Sequence, residues 1–263
     1  MIRVSNLAVT YWRGTPLEKR ALSGIDLALE PGEFVSVIGS NGAGKSTLLG
    51  AIAGDVAVSG GRIEIDGSDV TRQSTPRRAS LVARVFQDPL AGSAGQLTIE
   101  ENLGIAAARG RTRGLSLAIG RRRALLRERV EALGLGLENR LTDRMALLSG
   151  GQRQALALVM ATLSKSSVLL LDEHTAALDP GMAEFVIHLT QRFVREFGLT
   201  TLMVTHSMRQ ALDTGTRTVM LHEGKIVLDV SGATRQGMTV EDLVEMFRRK
   251  RGKAIDDDEL LTS

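Results

Sequence analysis

The segment Gly39-Ser40-Asn41-Gly42-Ala43-Gly44-Lys45-Ser46-Thr47 constrains this chain more than any other. It fits G-x-x-x-x-G-K-[ST], a pattern that carries weight only where it joins a strand to a helix. Both flanks meet that condition. Glu33-Phe34-Val35-Ser36-Val37-Ile38 is a short apolar run with β-branched residues, as in a parallel strand buried on both faces. Ser46 to Ala53 reads as the first turns of a helix. Glycines in such a loop let the backbone wrap phosphates without Cβ clashes, and the exposed amides and the helix dipole favour the anion. Lys45 is placed to reach the β- and γ-phosphates, and the Ser46 hydroxyl to ligate Mg²⁺. The nucleotide contacts expected here are Gly39, Ser40, Asn41, Gly42, Ala43, Gly44, Lys45, Ser46 and Thr47.

Two further motifs accompany it. Val168-Leu169-Leu170-Leu171-Asp172-Glu173 is an apolar run ending in two carboxylates. It predicts a central strand with acids at the C-terminal edge, where open α/β sheets bind ligands. Adjacent residues on a strand point to opposite faces, so the two acids take distinct roles. Asp172 would organise Mg²⁺, and Glu173 is the candidate general base for an attacking water. Upstream, Leu148-Ser149-Gly150-Gly151-Gln152 predicts a helix starting at Ser149 and running to about Leu163. Its first amides form a second anion site.

With these three motifs in one chain, the sequence resembles the ATP-binding subunit of an ABC transporter, over roughly residues 2 to 235. The resemblance implies an α/β fold: a phosphate-loop (RecA-like) NTPase core, an antiparallel β subdomain and an α-helical subdomain. It implies that Ser149, Gly150, Gly151 and Gln152 bind the γ-phosphate held by an opposite subunit, and that Asp179 belongs to the loop beside them. Gln87, in Val85-Phe86-Gln87-Asp88-Pro89, matches a glutamine that senses Mg²⁺ or water and contacts the membrane subunit. His206, after Thr201-Leu202-Met203-Val204, matches the switch histidine of the hydrolytic site. Tyr11 stands where an aromatic stacks on adenine. Trp12 is adjacent, and either ring could stack while the other covers the core. Where many relatives have Pro-Thr after the glutamate, this chain has His174-Thr175. His174 could hydrogen-bond across a dimer or serve as a neutral turn residue.

Composition narrows the setting. The 263 residues can bury a full core. The absence of cysteine excludes disulfides and thiolate metal sites. No signal peptide is expected from residues 1 to 10, and the apolar runs fall well short of the roughly 18 residues that span a bilayer. Transport would therefore require separate membrane subunits. Net charge is only +3, yet Arg109, Arg111, Arg113, Arg121, Arg122, Arg123, Arg127 and Arg129 crowd one stretch. Residues 248 to 253 form a second basic cluster, followed by the acids 256 to 259. These clusters read either as solvated surface or as attraction to anionic lipid headgroups. With aromatics at 3%, none interleaved in the basic runs, nucleic acid is not an expected partner.

Residues 1–240 read as one ATPase domain. Segments 1–87 and 166–240 form the nucleotide-binding core with its β subdomain, 88–165 the helical subdomain, and 241–263 a charged, partly structured tail. Leu125, Leu126, Val130 and Leu133 are expected on one buried helix face. The resemblance implies several partners: a second copy of this or a similar chain, transmembrane permease subunits and, through them, an extracytoplasmic substrate-binding protein. The chain would sit at the cytoplasmic face of the inner membrane. Stretches such as Asp172-Glu173-His174-Thr175-Ala176-Ala177-Leu178-Asp179-Pro180 are similar to an importer group that includes systems assigned to tryptophan or tyrosine uptake. The alternatives are an exporter motor, or a soluble ATPase of the superfamily acting on nucleic acid or ribosomes. The segment between Gln87 and Ser149 is too short for the long coiled coils of DNA-repair members. A single set of motifs argues against the two-cassette ribosomal members.

Overall fold

The computed structural model describes residues 1–109 and 119–251. In chain order the strands are β1 (Ile2–Tyr11), β2 (Lys19–Leu29), β3 (Phe34–Ile38), β4 (Gly60–Ile65), β5 (Ser68–Asp69), β6 (Val82–Val85), β7 (Val168–Asp172), β8 (Thr200–Val204), β9 (Arg217–His222) and β10 (Lys225–Ser231). The helices are α1 (Lys45–Ala53), α2 (Thr75–Arg78), α3 (Ile99–Ala107), α4 (Ile119–Glu131), α5 (Gly150–Thr162), α6 (Pro180–Phe197), α7 (Met208–Thr214), α8 (Gly232–Arg235) and α9 (Val240–Arg251).

The apolar runs without alternation become β3, β7 and β8, each buried along its whole length. They lie parallel in a six-stranded sheet ordered β10-β9-β3-β8-β7-β6, with β10 antiparallel at one edge. The period of two splits each run between two cores. Val168 and Leu170 of β7 face the cluster holding α1 and the antiparallel sheet β2-β1-β4-β5. Leu169 and Leu171 face α5, α6 and the helical subdomain. The alternating N-terminal segments form that antiparallel sheet, as their pattern predicts.

Leu126 and Val130 on α4, and Leu133 just past its end, are buried as expected, but Leu125 is 51% exposed. It stands next to Leu126 in sequence and so about 100° away around the helix, off the buried stripe. Helix α9 carries packed structure into the segment read as a tail, with Leu243, Val244 and Phe247 buried against Met208, Met220 and Val230. Members of the first basic stretch are tied into the fold. Arg109 donates to the Ala161 carbonyl and to the Ser164 and Ser166 hydroxyls, Arg123 pairs with Glu100 at 3.1 Å, and Arg129 lies over the Phe197 ring. Arg111, Arg113, Lys253 and the acidic run after it lie outside the described residues.

The helix carrying Lys45 needs a stop at its far end, and Arg78 provides it. Arg78 is 2% exposed. It donates to the carbonyls of Ala51 (2.6 Å) and Ile52 (2.8 Å) in the last turn of α1, and to those of Thr71 and Gln73. A cation at a helix C-terminus complements the dipole and satisfies carbonyls that lack helical partners. Arg78→Met should therefore leave several buried acceptors without donors. It is expected to lower unfolding free energy by roughly 3 kcal/mol or more, measured by chemical denaturation.

Candidate active site

The phosphate loop leaves the C-terminal end of β3 and turns into α1 through Gly44, whose φ is 106°. A Cβ there would lie 2.7 Å from the Ala21 carbonyl oxygen, and one at Gly39 would lie 2.2 Å from that of Leu221. Backbone conformation and neighbouring backbone thus both demand glycine at these two positions. The Ala43 amide donates to the Ser40 carbonyl, closing the loop. The Lys45 ammonium, 5% exposed, folds back over the loop and donates to the carbonyls of Gly39 (2.6 Å) and Ser40 (3.2 Å). It lies 3.9 Å from Glu173 Oε1. Burial lowers the Lys45 pKa, while Glu173 and Asp172 oppose that shift.

The same alternation that sorts the core aims the acids. Asp172 follows Val168 and Leu170 onto the α1 side of the sheet, where its Oδ1 accepts from the Ser46 hydroxyl at 3.2 Å. Glu173 leaves the strand. Its φ is 43°, its amide donates to the Val204 carbonyl, and its Oε2 stands 3.8 Å from His206 Nδ1. Lys45, Ser46, Asp172, Glu173 and His206 therefore converge. Beside them opens a cavity of about 460 Å³, lined by the loop from Asn41 to Thr47, Glu173, Tyr11 and Trp12.

Tyr11 packs on the core and its hydroxyl lies 3.3 Å from Thr47 Oγ1, which fixes the ring relative to the loop. Trp12 is 61% exposed, with its ring centroid 5.8 Å from that of Tyr11. Ser149 caps α5 in a reciprocal box with Gln152, each side chain accepting from the other's amide. Gly151 packs on α6, where a Cβ would lie 2.1 Å from Met182 Cγ. Asp179 caps α6 through the Met182 amide. Ser149, Gly151, Gln152 and Asp179 do not line the phosphate cavity of their own chain. Gln87 follows the C-terminal end of β6, is exposed, and lines a second cavity of about 400 Å³ with Gly150, Arg153, His174 and Leu178.

One residue escapes the motif reading. Arg84 spans Asp172 Oδ2 and Asp55 Oδ2, both at 2.7 Å, and lies over the Phe86 ring. The signal available for it is a charged residue inside the apolar run Val82-Ala83-Arg84-Val85. His174 is 2% exposed and pairs through Nε2 with Thr190 Oγ1 at 3.1 Å within its own chain. Burial pulls its pKa down to about 4. An imidazole kept neutral by burial fits the turn role of the two open to it.

A loop that cradles phosphates, a hydroxyl and carboxylate converging beside it, and a second acid against a histidine define a nucleotide-hydrolysing site of the phosphate-loop class. The family model described as ABC transporter matches residues 22–176. The chain belongs to the ABC transporter family as an ATP-binding, ATP-hydrolysing subunit. It is similar to a tyrosine transport ATP-binding protein of Clostridioides difficile (strain R20291), 42% identical over 247 residues, covering 94% of this chain and 98% of the relative. It is also similar to a thiamine import ATP-binding protein of Yersinia pestis, 38% identical over 210 residues, covering 80% and 84%. Among solved structures, a dimeric ATP-binding cassette in a post-hydrolysis state with ADP and phosphate superposes with a TM-score of 0.75. Its identity is 29%, and the match covers 88% of this chain and 98% of that one.

The buried imidazole makes stability depend on pH. The unfolded chain protonates His174 near the ordinary value of 6.5, the folded chain only near 4. Between those values the unfolded state binds more protons, so stability rises with pH. His174's contribution is complete above the upper value and is lost as pH falls towards the lower one. At about 1.4 kcal/mol per unit this amounts to a few kcal/mol. Denaturant titrations of wild type and His174→Gln between pH 7 and pH 4 should show a shallower acid loss in the variant.

Proposed function

We propose that this chain is the motor of a binding-protein-dependent importer of an amino acid or a similar small solute. In this reading it acts as a dimer with a second copy at the cytoplasmic face of the membrane. The observation that carries the dimer is the split of the site. Lys45, Ser46, Asp172, Glu173 and His206 converge at one cleft, while the anion-binding start of α5 lies outside it. A second chain, facing the first, sets the Ser149–Gln152 segment, with the Gly150 and Gly151 amides outside the capping box, against a γ-phosphate held by Lys45. The dimeric solved cassette supports the pairing, and the tyrosine transport and thiamine import relatives support the role in uptake. Among the described residues no helix is long and apolar enough to cross a membrane, which suits a subunit that works with separate permease chains. The extracytoplasmic binding protein would act through them.

The donor set fits Mg²⁺ arriving with ATP. The described residues contain no cluster of three or more His, Cys, Asp or Glu that would hold a metal alone. One hydroxyl and one carboxylate beside a phosphate loop match an ion that takes few protein ligands and keeps waters and phosphate oxygens. When bound, it would neutralise charge on the β- and γ-phosphates. Lys45 orients the phosphates, Tyr11 offers adenine a ring held in place through Thr47, and Asp172 and Ser46 complete the polar wall. Glu173 accepts a proton from the attacking water, and His206 flanks the Glu173 carboxylate on its other side.

Gln87 begins the segment that joins the sheet to the helical subdomain. An apolar cavity of about 470 Å³, lined by Phe86, Ile105 and Met160 among others, opens next to it and offers the permease a grip. Gln87 would follow nucleotide state from the cavity it shares with Gly150 and His174, turning the helical subdomain through Pro89 and Gly92.

Glu173→Gln should keep ATP binding, slow phosphate release by roughly 10²–10⁴-fold and form a dimer only with ATP, read by light scattering. A variant that stays monomeric at saturating ATP would remove the isolated dimer, and normal turnover would remove Glu173 as the base. Gln87→Ala should leave ATP binding nearly intact and uncouple hydrolysis from cargo movement in vesicles containing the permease. Wild-type transport per ATP in that variant would refute the coupling role.

A further inference from the structure

We propose that His174 is a positioning residue for hydrolysis: its Nε2–H anchors the turn carrying Glu173 to Thr190 on α6. The inference rests on the reading of Glu173 as the group that activates water.

Glu173 sits at φ 43°, a conformation that residues with side chains rarely adopt and that persists only where the surroundings over-determine it. On its N-terminal side the turn is held by the Glu173 amide on the Val204 carbonyl, 3.0 Å. On its C-terminal side the next two residues are both fastened. Thr175 Oγ1 accepts from Gln210 Nε2 at 2.9 Å, and Gln210 Oε1 accepts in turn from the hydroxyl of Thr205, the residue before His206. His174 meets Thr190 Oγ1 at 3.1 Å. The direction of that last bond follows from its surroundings. Thr190 is fully buried, and its hydroxyl donates to the Val186 carbonyl at 2.8 Å. Its single proton is committed, so the imidazole donates and His174 carries its proton on Nε2. A buried donor with one buried acceptor has few alternatives, because any rotation strands both groups.

Two side chains therefore pin the turn to two different elements, α6 through His174 and the His206 loop through Thr175. The Glu173 carboxylate lies 3.9 Å from Lys45 and 3.8 Å from His206, both beyond hydrogen-bond distance. Its position thus depends on the backbone beneath it. Misplacing a reacting group by about 1 Å can cost about 10²-fold in rate, so release of one of the two pins is expected to reach turnover without touching the nucleotide.

The test uses the full chain in four forms: His174→Phe, which keeps a ring but has no donor, Thr190→Val, which keeps volume but has no acceptor, the double variant, and His174→Gln, whose amide nitrogen can donate from nearly the place of Nε2. Each is measured for turnover number at saturating ATP and for ATP affinity. His174→Phe and Thr190→Val should each lose about tenfold in turnover with ATP affinity within about twofold. The double variant should be no worse than either single one, and His174→Gln should recover most of the rate. Full turnover in Thr190→Val, or losses that multiply in the double variant, would overturn the role. If His174→Phe does not fold, Thr190→Val and His174→Gln decide alone. Glu173→Gln in the same assay separates the two readings. Its inactivity with full turnover in Thr190→Val rejects only the anchor, whereas its retained turnover rejects Glu173 as the base whatever His174 does.

Discussion

The site depends on the register of the parallel sheet. Val37 of β3 pairs with Val204 of β8, Val204 with Asp172 of β7, and Leu171 with Val85 of β6. Four strands thus finish on one line across the sheet. Their C-terminal ends deliver the working groups to the same edge: the phosphate loop from β3, Glu173 from β7, His206 from β8 and Gln87 from β6. A slip of one residue in any pair would turn every side chain of that strand to the other face. Asp172 would then point towards α5 and α6, away from Ser46. Burial on both faces makes such slips costly, so the apolar runs are as much a part of the chemistry as the charged residues at their ends.

The division of labour across the sheet comes from the same alternation. One face holds α1 and the antiparallel sheet with Tyr11, and so builds the walls of the cavity at the phosphate loop. The other holds α5 and α6, and so carries the groups that face outward from the cleft, Ser149 at the head of one helix and Asp179 at the head of the next. Gly151 lets these two helices approach until Met182 occupies the space of a missing Cβ. The two caps are thereby held as one unit.

Much of this is legible in the amino-acid order alone. Motifs that depend on backbone shape and local spacing, such as Gly39 to Thr47 or Ser149 to Gln152, carry their own context in the flanking residues. The parallel core can be read because doubly buried strands leave unbroken apolar runs. Pairings between distant segments stay hidden. Arg84 meets Asp55 and Asp172 only once β6 lies beside β7. Arg78 looks like a surface residue of a short basic helix until α1 ends against it. His174 has two open readings in the sequence because Thr190, 16 residues on, is not marked by any motif. Leu125 departs from expectation because a periodic pattern tolerates a neighbour just off the buried stripe. For Gln87 the sequence offers only analogy of position, and the fold sets it at the C-terminal edge of the sheet in a cavity shared with the start of α5.

The central position of β3 also bears on how the chain acquires its shape. Its two neighbours, β8 and β9, are made of residues 200–204 and 217–222, far downstream during synthesis. The antiparallel pairing of β1, β2 and β4 is complete within the first 65 residues and can form early. The strand that launches the phosphate loop cannot, since both its edges wait for the last quarter of the chain. Such long-range closure slows folding and leaves apolar edges open to other chains in the meantime. Nucleotide binding therefore becomes available only after nearly the whole polypeptide has emerged, and a truncated chain that reaches α6 would hold every phosphate-loop residue while lacking the sheet that shapes them.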